Sequence, residues 1–105
     1  MRYERGDYYR IAMSGHGFFG LYNGAIFDKS CADPVCFTDL EKAETIACIL
    51  TINEQYDPTL QGSRVISIDR FQYDGGNIKI TKIKTILISE DKHKEPEIVE
   101  HARIV

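Results

Sequence analysis

The sequence predicts an α+β domain: a single helix packed on an antiparallel sheet of about five strands, in the order β-β-β-α-β-β, with a short C-terminal strand as an option. Three observations predict it. One stretch only, Phe37 to Glu54, has the periodicity of a long helix. The apolar runs on both sides of it alternate in steps of two, as strands do, and turn residues separate them. Two clusters, Asn23-Gly24 and Asp74-Gly75-Gly76-Asn77, then join neighbouring runs as hairpins. With 105 residues, no internal repeat and no linker, residues 1–105 read as one domain large enough to bury a core.

Met1 to Asp7 is a charged lead-in. Tyr8 to Met13 reads as a strand, with Tyr9, Ile11 and Met13 on one face and Tyr8, Arg10 and Ala12 on the other. Ser14-Gly15-His16-Gly17 breaks it, because glycine adopts backbone angles that side chains forbid. Phe18 to Phe27 reads as a hairpin closed at Asn23-Gly24, since a type I′ turn needs positive φ at both central residues. That turn sets Tyr22 opposite Ala25 and Leu21 opposite Ile26, and places Phe27 over Gly20, which has no side chain of its own. Asp28 to Val35 is a loop, because Pro34 keeps Asp33 out of helical geometry.

For the helix, Thr38 and Glu41 fit a capping box in which each side chain satisfies the other residue's backbone N–H. Leu40, Ala43, Ile46, Ala47 and Leu50 recur along one face, and Glu41, Lys42, Glu44 and Thr45 point away. Pro58 ends it near Asn53 to Tyr56. Thr59 to Ser63 is a connecting turn. Arg64 to Tyr73 is a strand with Ile66 and Ile68 on one face and Val65, Phe71 and Tyr73 on the other. Ile78 to Ile88 is its antiparallel partner. Lys82 and Lys84 interrupt the parity of Ile78, Ile80, Ile86 and Ile88, which a bulge or bend near Lys82 reconciles. After a charged tail, Ile98, Val99, Ala102 and Ile104 fit either an edge strand or one helical turn.

The formal net charge of −3 argues against indiscriminate coating of nucleic acid. The charge is uneven: residues 64–84 hold five basic and two acidic side chains, and residues 1–57 hold five basic and nine acidic. Such polarity favours a charged partner. Three cysteines, Cys31, Cys36 and Cys48, are an odd number, and MRYERGDYYR is too polar for an export signal. No apolar run is long enough to span a membrane. A cytoplasmic protein with reduced thiols is the economical expectation.

Motifs that would carry catalysis are missing. Cys31-x4-Cys36 with Cys48 and His16 lacks the second tight pair of ligands that structural zinc sites use, so neither metal nor cofactor is expected. His16 reads as a solvated turn histidine, because no spacing brings it to a nucleophile and an orienting acid. There is no phosphate loop, dinucleotide fingerprint or nucleophile elbow, and no enzyme is expected.

Two binding surfaces stand out instead. Tyr3, Tyr8, Tyr9, Phe18, Phe19, Tyr22 and Phe27 crowd the first third, and strand alternation sends part of them away from the helix. With Asp7, Asp28 and Asp33 beside them, the set Asp7, Tyr8, Phe18, Phe19, Tyr22, Asp28 and Asp33 predicts a surface on which rings anchor and carboxylates steer a basic partner protein. The alternative is a nucleic-acid-binding strand carrying Lys79, Lys82 and Lys84 beside Phe71 and Tyr73. Lysines on an exposed strand also deter edge-to-edge pairing, and direct nucleic-acid binding is the lesser expectation. Unpaired terminal strands make a homodimer an option.

The chain's general character is small, acidic, single-domain and without catalytic motifs. No motif in it is specific to a named family; in general character alone it is similar to the accessory proteins of phages and mobile elements. The resemblance implies an inhibitor that occupies the basic groove of a host nucleic-acid-processing or defence complex, as anti-CRISPR proteins of this size do.

Overall fold

A computed structural model describes residues 4–101. The chain order is β1 (Gly6–Gly15), β2 (Phe18–Tyr22), β3 (Phe27–Asp28), β4 (Cys36–Phe37), α1 (Leu40–Gln55), β5 (Arg64–Tyr73), β6 (Ile78–Ile88) and β7 (Glu97–Glu100). All strand pairs are antiparallel, in one sheet of order β3-β2-β1-β5-β6-β7, with β4 also paired to β1. The helix crosses one face of this sheet, as expected. The sheet has seven strands rather than about five: β7 is the optional C-terminal strand, and β4 is the addition, two residues being too short to leave a periodic signal. Tyr3, Ala102 and Ile104, to which the sequence reading assigned roles, lie outside the described residues.

Helix α1 starts later than expected. Asp39, not Thr38, is the N-cap: its side chain accepts from the Glu41 N–H at 3.0 Å, and its carbonyl accepts from Ala43 N at 3.2 Å. Thr38 is left outside the cap because Cys36 and Phe37 are drawn into strand pairing with Arg10 and Tyr9. The buried positions of α1 are Ala43, Ala47 and Thr51, all small. Small residues let the helix backbone approach the sheet closely, and Leu40, Ile46 and Leu50 pack alongside. The buried Thr51 hydroxyl donates to the Ala47 carbonyl at 2.7 Å and so is not left unsatisfied. Below the helix, Tyr9, Ile11 and Met13 of β1 meet Ile66 and Ile68 of β5 and Ile83, Ile86 and Ile88 of β6. This face is the core, and alternation was enough to place it.

Two turns differ from expectation. His16 and Gly17, with φ of 46° and 77°, form the two-residue turn between Gly15 and Phe18, so the primed hairpin lies here. At Asn23-Gly24 the connection is longer, and Tyr22 pairs with Phe27 instead of Ala25. The Asn23 side chain is the cause. Its Oδ1 accepts from both Ala25 N and Ile26 N, at 3.2 and 3.1 Å, holding four residues in the loop. Gly20 is still covered by an aromatic ring, but by that of Phe18, with the Phe27 Cβ close by.

The expected irregularity of β6 is present. The β5–β6 register shifts between Ile68 and Asp69, whose partners are Lys84 and Lys82, and leaves Ile83 as the extra residue. The shift changes which face each lysine occupies. Lys84 joins Ile68 on the helix side, where its Nζ bonds the Glu44 carboxylate of α1 and lies 3.4 Å from Glu100 of β7. The bond from Glu44 holds the Lys84 ammonium above its ordinary pKa, outweighing partial burial. Lys82, opposite Asp69, lies on the sheet face that the helix does not cover.

Candidate functional site

The front-third residues are not gathered into one surface. Tyr22 is 8% exposed within the core, stacked near Phe37, with its hydroxyl donating to Gly24 O at 2.8 Å. It is removed from the docking set: its ring lies on the buried face of β2, with the Phe27 and Phe37 rings against it. Phe18 is half-buried over Gly20, with the Lys29 and Arg64 side-chain cations 5.0 and 5.5 Å from its ring centroid. Phe19 is exposed on the uncovered sheet face, opposite Ser14. Tyr8 is half-buried on that same face, opposite Phe71, and its hydroxyl donates to Glu4 O at 2.7 Å. The two are roughly 20 Å apart along the strands. Asp7 is taken up by Arg70, whose Nη2 donates at 2.6 Å. The Asp28 carboxylate accepts from the Ser30 N–H and hydroxyl, which hold its pKa below the ordinary value. Asp33 stands exposed in the loop before β4.

The basic strand is likewise divided. Lys79 and Lys82 are exposed but, three residues apart, belong to opposite faces by alternation, while the bulge turns Lys84 to the helix side, where Glu44 holds it. The structure thus does not present Lys79, Lys82 and Lys84 as one stripe. His16 is exposed in its turn, its ring lying against Gly62. Cys31, Cys36 and Cys48 are thiols, and among the described residues no three His, Cys, Asp or Glu side chains are grouped to hold a metal ion. Among the described residues no helix is long and apolar enough to cross a membrane.

What the structure does assemble is a groove between α1 and β7. Cys48, Ile52 and Tyr56 of the helix line one side, Pro96 and Ile98 the other, and Ile86 the floor, around a cavity of about 400 Å³. Ile52, Tyr56 and Ile98 are 55%, 71% and 57% exposed, and Ile49, one turn before, is exposed too. Such a concentration on one side of a small domain goes beyond the scattered apolar exposure of an ordinary surface. Glu95 is the carboxylate on its lining. Residues 40–57 hold four carboxylates and one lysine, and residues 90–100 hold five carboxylates and two lysines.

No family model matches the chain, and no curated protein or solved structure matches it at a significant level. The groove is therefore read from its own geometry. Sequence reasoning passed over it by following only the buried stripe of α1. Ile49, Ile52 and Tyr56 form a second stripe at i, i+3 and i+7, and that spacing on a helix with one buried face was the available signal.

A second cleft lies where the β2–β3 loop, the last turns of α1 and the start of β5 meet. It encloses about 360 Å³ and is lined by Met13, Phe18, Phe27, Leu50, Leu60 and Glu54, among others. Burial, and then the nearby Asp57 charge, push the Glu54 carboxyl above its ordinary pKa against the pull of Arg64 and Lys92. A raised carboxyl pKa means that the folded state prefers the proton, so the charged form weakens folding at neutral pH. Glu54→Gln is accordingly expected to stabilise the protein at pH 7, by less than about 1 kcal/mol because water still reaches the group. The gain should vanish below the ordinary value of 4.5, where both states are protonated. Thermal unfolding of both proteins at pH 7 and pH 3 checks it; an equal difference at both values refutes it.

Proposed function

We propose that this chain is a small, non-enzymatic protein-binding module whose docking surface is the groove between α1 and β7. The observation that carries the reading is the exposure of Ile52, Tyr56 and Ile98 around one apolar cavity. Aromatic and aliphatic side chains in such a groove supply the anchoring area of an interface. Glu95 lies on the groove, and the segments that supply its two walls, 40–57 and 90–100, are acidic in composition, with nine carboxylates against three lysines, which favours a basic partner. An apolar side chain of that partner fills the groove, and a Lys or Arg beside it meets Glu95. The finer reading, an inhibitor that occupies a host nucleic-acid-processing or defence complex through its basic groove, keeps the basic partner and moves the contact from the first third of the chain to α1 and β7.

Affinity capture from a bacterial lysate, with and without a nucleic-acid-binding nuclease as bait, tests this. The wild-type protein should retain a basic partner, and Ile52→Glu combined with Tyr56→Ala should reduce retention at least tenfold with unchanged circular dichroism. Both side chains are exposed, so the fold does not depend on them. Recovery of no partner, or equal recovery by the variant, would count against the groove. Direct, salt-sensitive retention of the protein itself on single-stranded DNA or RNA would favour the nucleic-acid reading instead.

A further inference from the structure

We propose that the cleft between the β2–β3 loop, the end of α1 and the start of β5 binds a small amine, an ammonium group on an aromatic or branched apolar body. This goes beyond the groove reading and uses other residues, on a different side of α1 from Ile52 and Tyr56. Met13, Phe18, Ile26, Phe27, Leu50 and Leu60 line about 360 Å³, a volume within the range of small-molecule sites. The lining runs from buried Met13 to exposed Ile26, so the cleft has depth and a mouth. Neither end of the described chain lies at it. Glu4 meets the Tyr8 hydroxyl on the other face of the sheet, and His101 is bonded to Ile83 of β6, with β5 between that strand and β1.

Charge decides the ligand. Glu54, Asp57 and Arg64 are the ionisable side chains of the lining. Arg64 is engaged: its Nη1 donates to Gly15 O and Gln61 O at 3.0 and 3.3 Å, and its guanidinium lies over the Phe18 ring. Asp57 Oδ1 accepts from the Thr59 N–H and hydroxyl. Lys92, which is not part of the lining, donates to Gln55 O and Asp57 O. Glu54 differs from all three. Among the described residues its half-buried carboxylate has no hydrogen-bond or ion-pair partner. It also stands in the last turn of α1, where the helix presents the negative end of its dipole and holds no basic residue. A carboxylate placed there, beside Asp57 and against apolar side chains, calls for a cation. An ammonium inside the cleft meets Glu54, while the apolar body attached to it covers Phe27, Leu50 and Leu60. An anionic ligand would face two carboxylates, and a neutral one would leave Glu54 unpaired.

The test is an NMR titration of the full chain with 2-phenylethylammonium chloride, at pH 7 and constant ionic strength. Backbone amides around Met13, Phe27, Leu50 and Leu60 should shift saturably, with half-saturation below about 10 mM. The neutral 2-phenylethanol keeps the ring, and ethylammonium keeps only the charge; each should bind at least tenfold more weakly. Glu54→Gln should lower the affinity at least tenfold with unchanged circular dichroism, and Ile80→Ala, on the uncovered sheet face, should leave it unchanged. The comparison of amine with alcohol needs no variant, so it decides even where Glu54→Gln unfolds. Four results overturn the proposal: no saturable shift over that range, equal binding of the alcohol, undiminished binding by Glu54→Gln, or tighter binding of a lysine blocked at both ends, which would assign the cleft to a side chain of another protein.

Discussion

Ile11→Ala should lower the unfolding free energy by about 2–5 kcal/mol, a large share of what holds a domain of this size together. Ile11 is fully buried in β1, paired with Ile68, and lies in the core that α1 covers. Removing its outer carbons forfeits their transfer from water and leaves a void that backbone pairing on both sides of β1 keeps from closing. Ile80→Ala on the uncovered face is the comparison, with a loss below about 1 kcal/mol. Urea unfolding followed by circular dichroism checks both, with unchanged denaturant slopes showing that the effect lies in the folded state. Losses of similar size at the two positions would contradict the placement of the core.

Gly15→Ala should cost about 2–3 kcal/mol for a different reason. Gly15 has a φ of 125°, and a Cβ built on it would lie 2.3 Å from Ser63 O and 3.1 Å from Arg64 Cα. Those are backbone atoms at the start of β5, where no rotamer change brings relief. Arg64 Nη1 also donates to Gly15 O at 3.0 Å, so opening this end of the sheet breaks that bond. Gly17 separates strain from collision. It too has positive φ, 77°, but a Cβ there meets nothing within 4 Å, and Gly17→Ala should cost only about 1 kcal/mol. Equal melting temperatures for the two variants would refute the steric argument.

The strand faces were legible because a parity of two leaves little freedom once one side is apolar. Tyr9, Ile11 and Met13 went inside as written, and the lysines interrupting β6 announced the bulge at Ile83. Cys36-Phe37 was not legible: two residues have no period, and they pair with β1 only because β2 turns away beyond Ala12. The exchange of turn types was also hidden. Asn23-Gly24 is a stronger local signal than His16-Gly17, but a side-chain oxygen that accepts two backbone N–H groups outweighs the dipeptide preference. The fate of the early rings depended on tertiary room. Tyr22 and Phe18 share a face with Gly20, and how much of them is hidden follows from Phe27 and Phe37 closing over Tyr22 and from Gly20 leaving room for the Phe18 ring. No count of aromatic residues contains that information. The exposed stripe Ile49, Ile52 and Tyr56 was in plain view, and only the habit of assigning one apolar face per helix concealed it.

The long pairing of β1 with β5 has a kinetic consequence. These two strands form the middle of the sheet, yet β2, β3, β4 and α1 separate them in the chain, and Arg70 and Asp7 meet across 63 residues. The hairpins at either end close locally and quickly, whereas the central seam must pay the entropy of a large ring before it gains anything. During synthesis the first half therefore emerges with one flank of its middle strand unsatisfied, and it stays so until Tyr73 has left the ribosome.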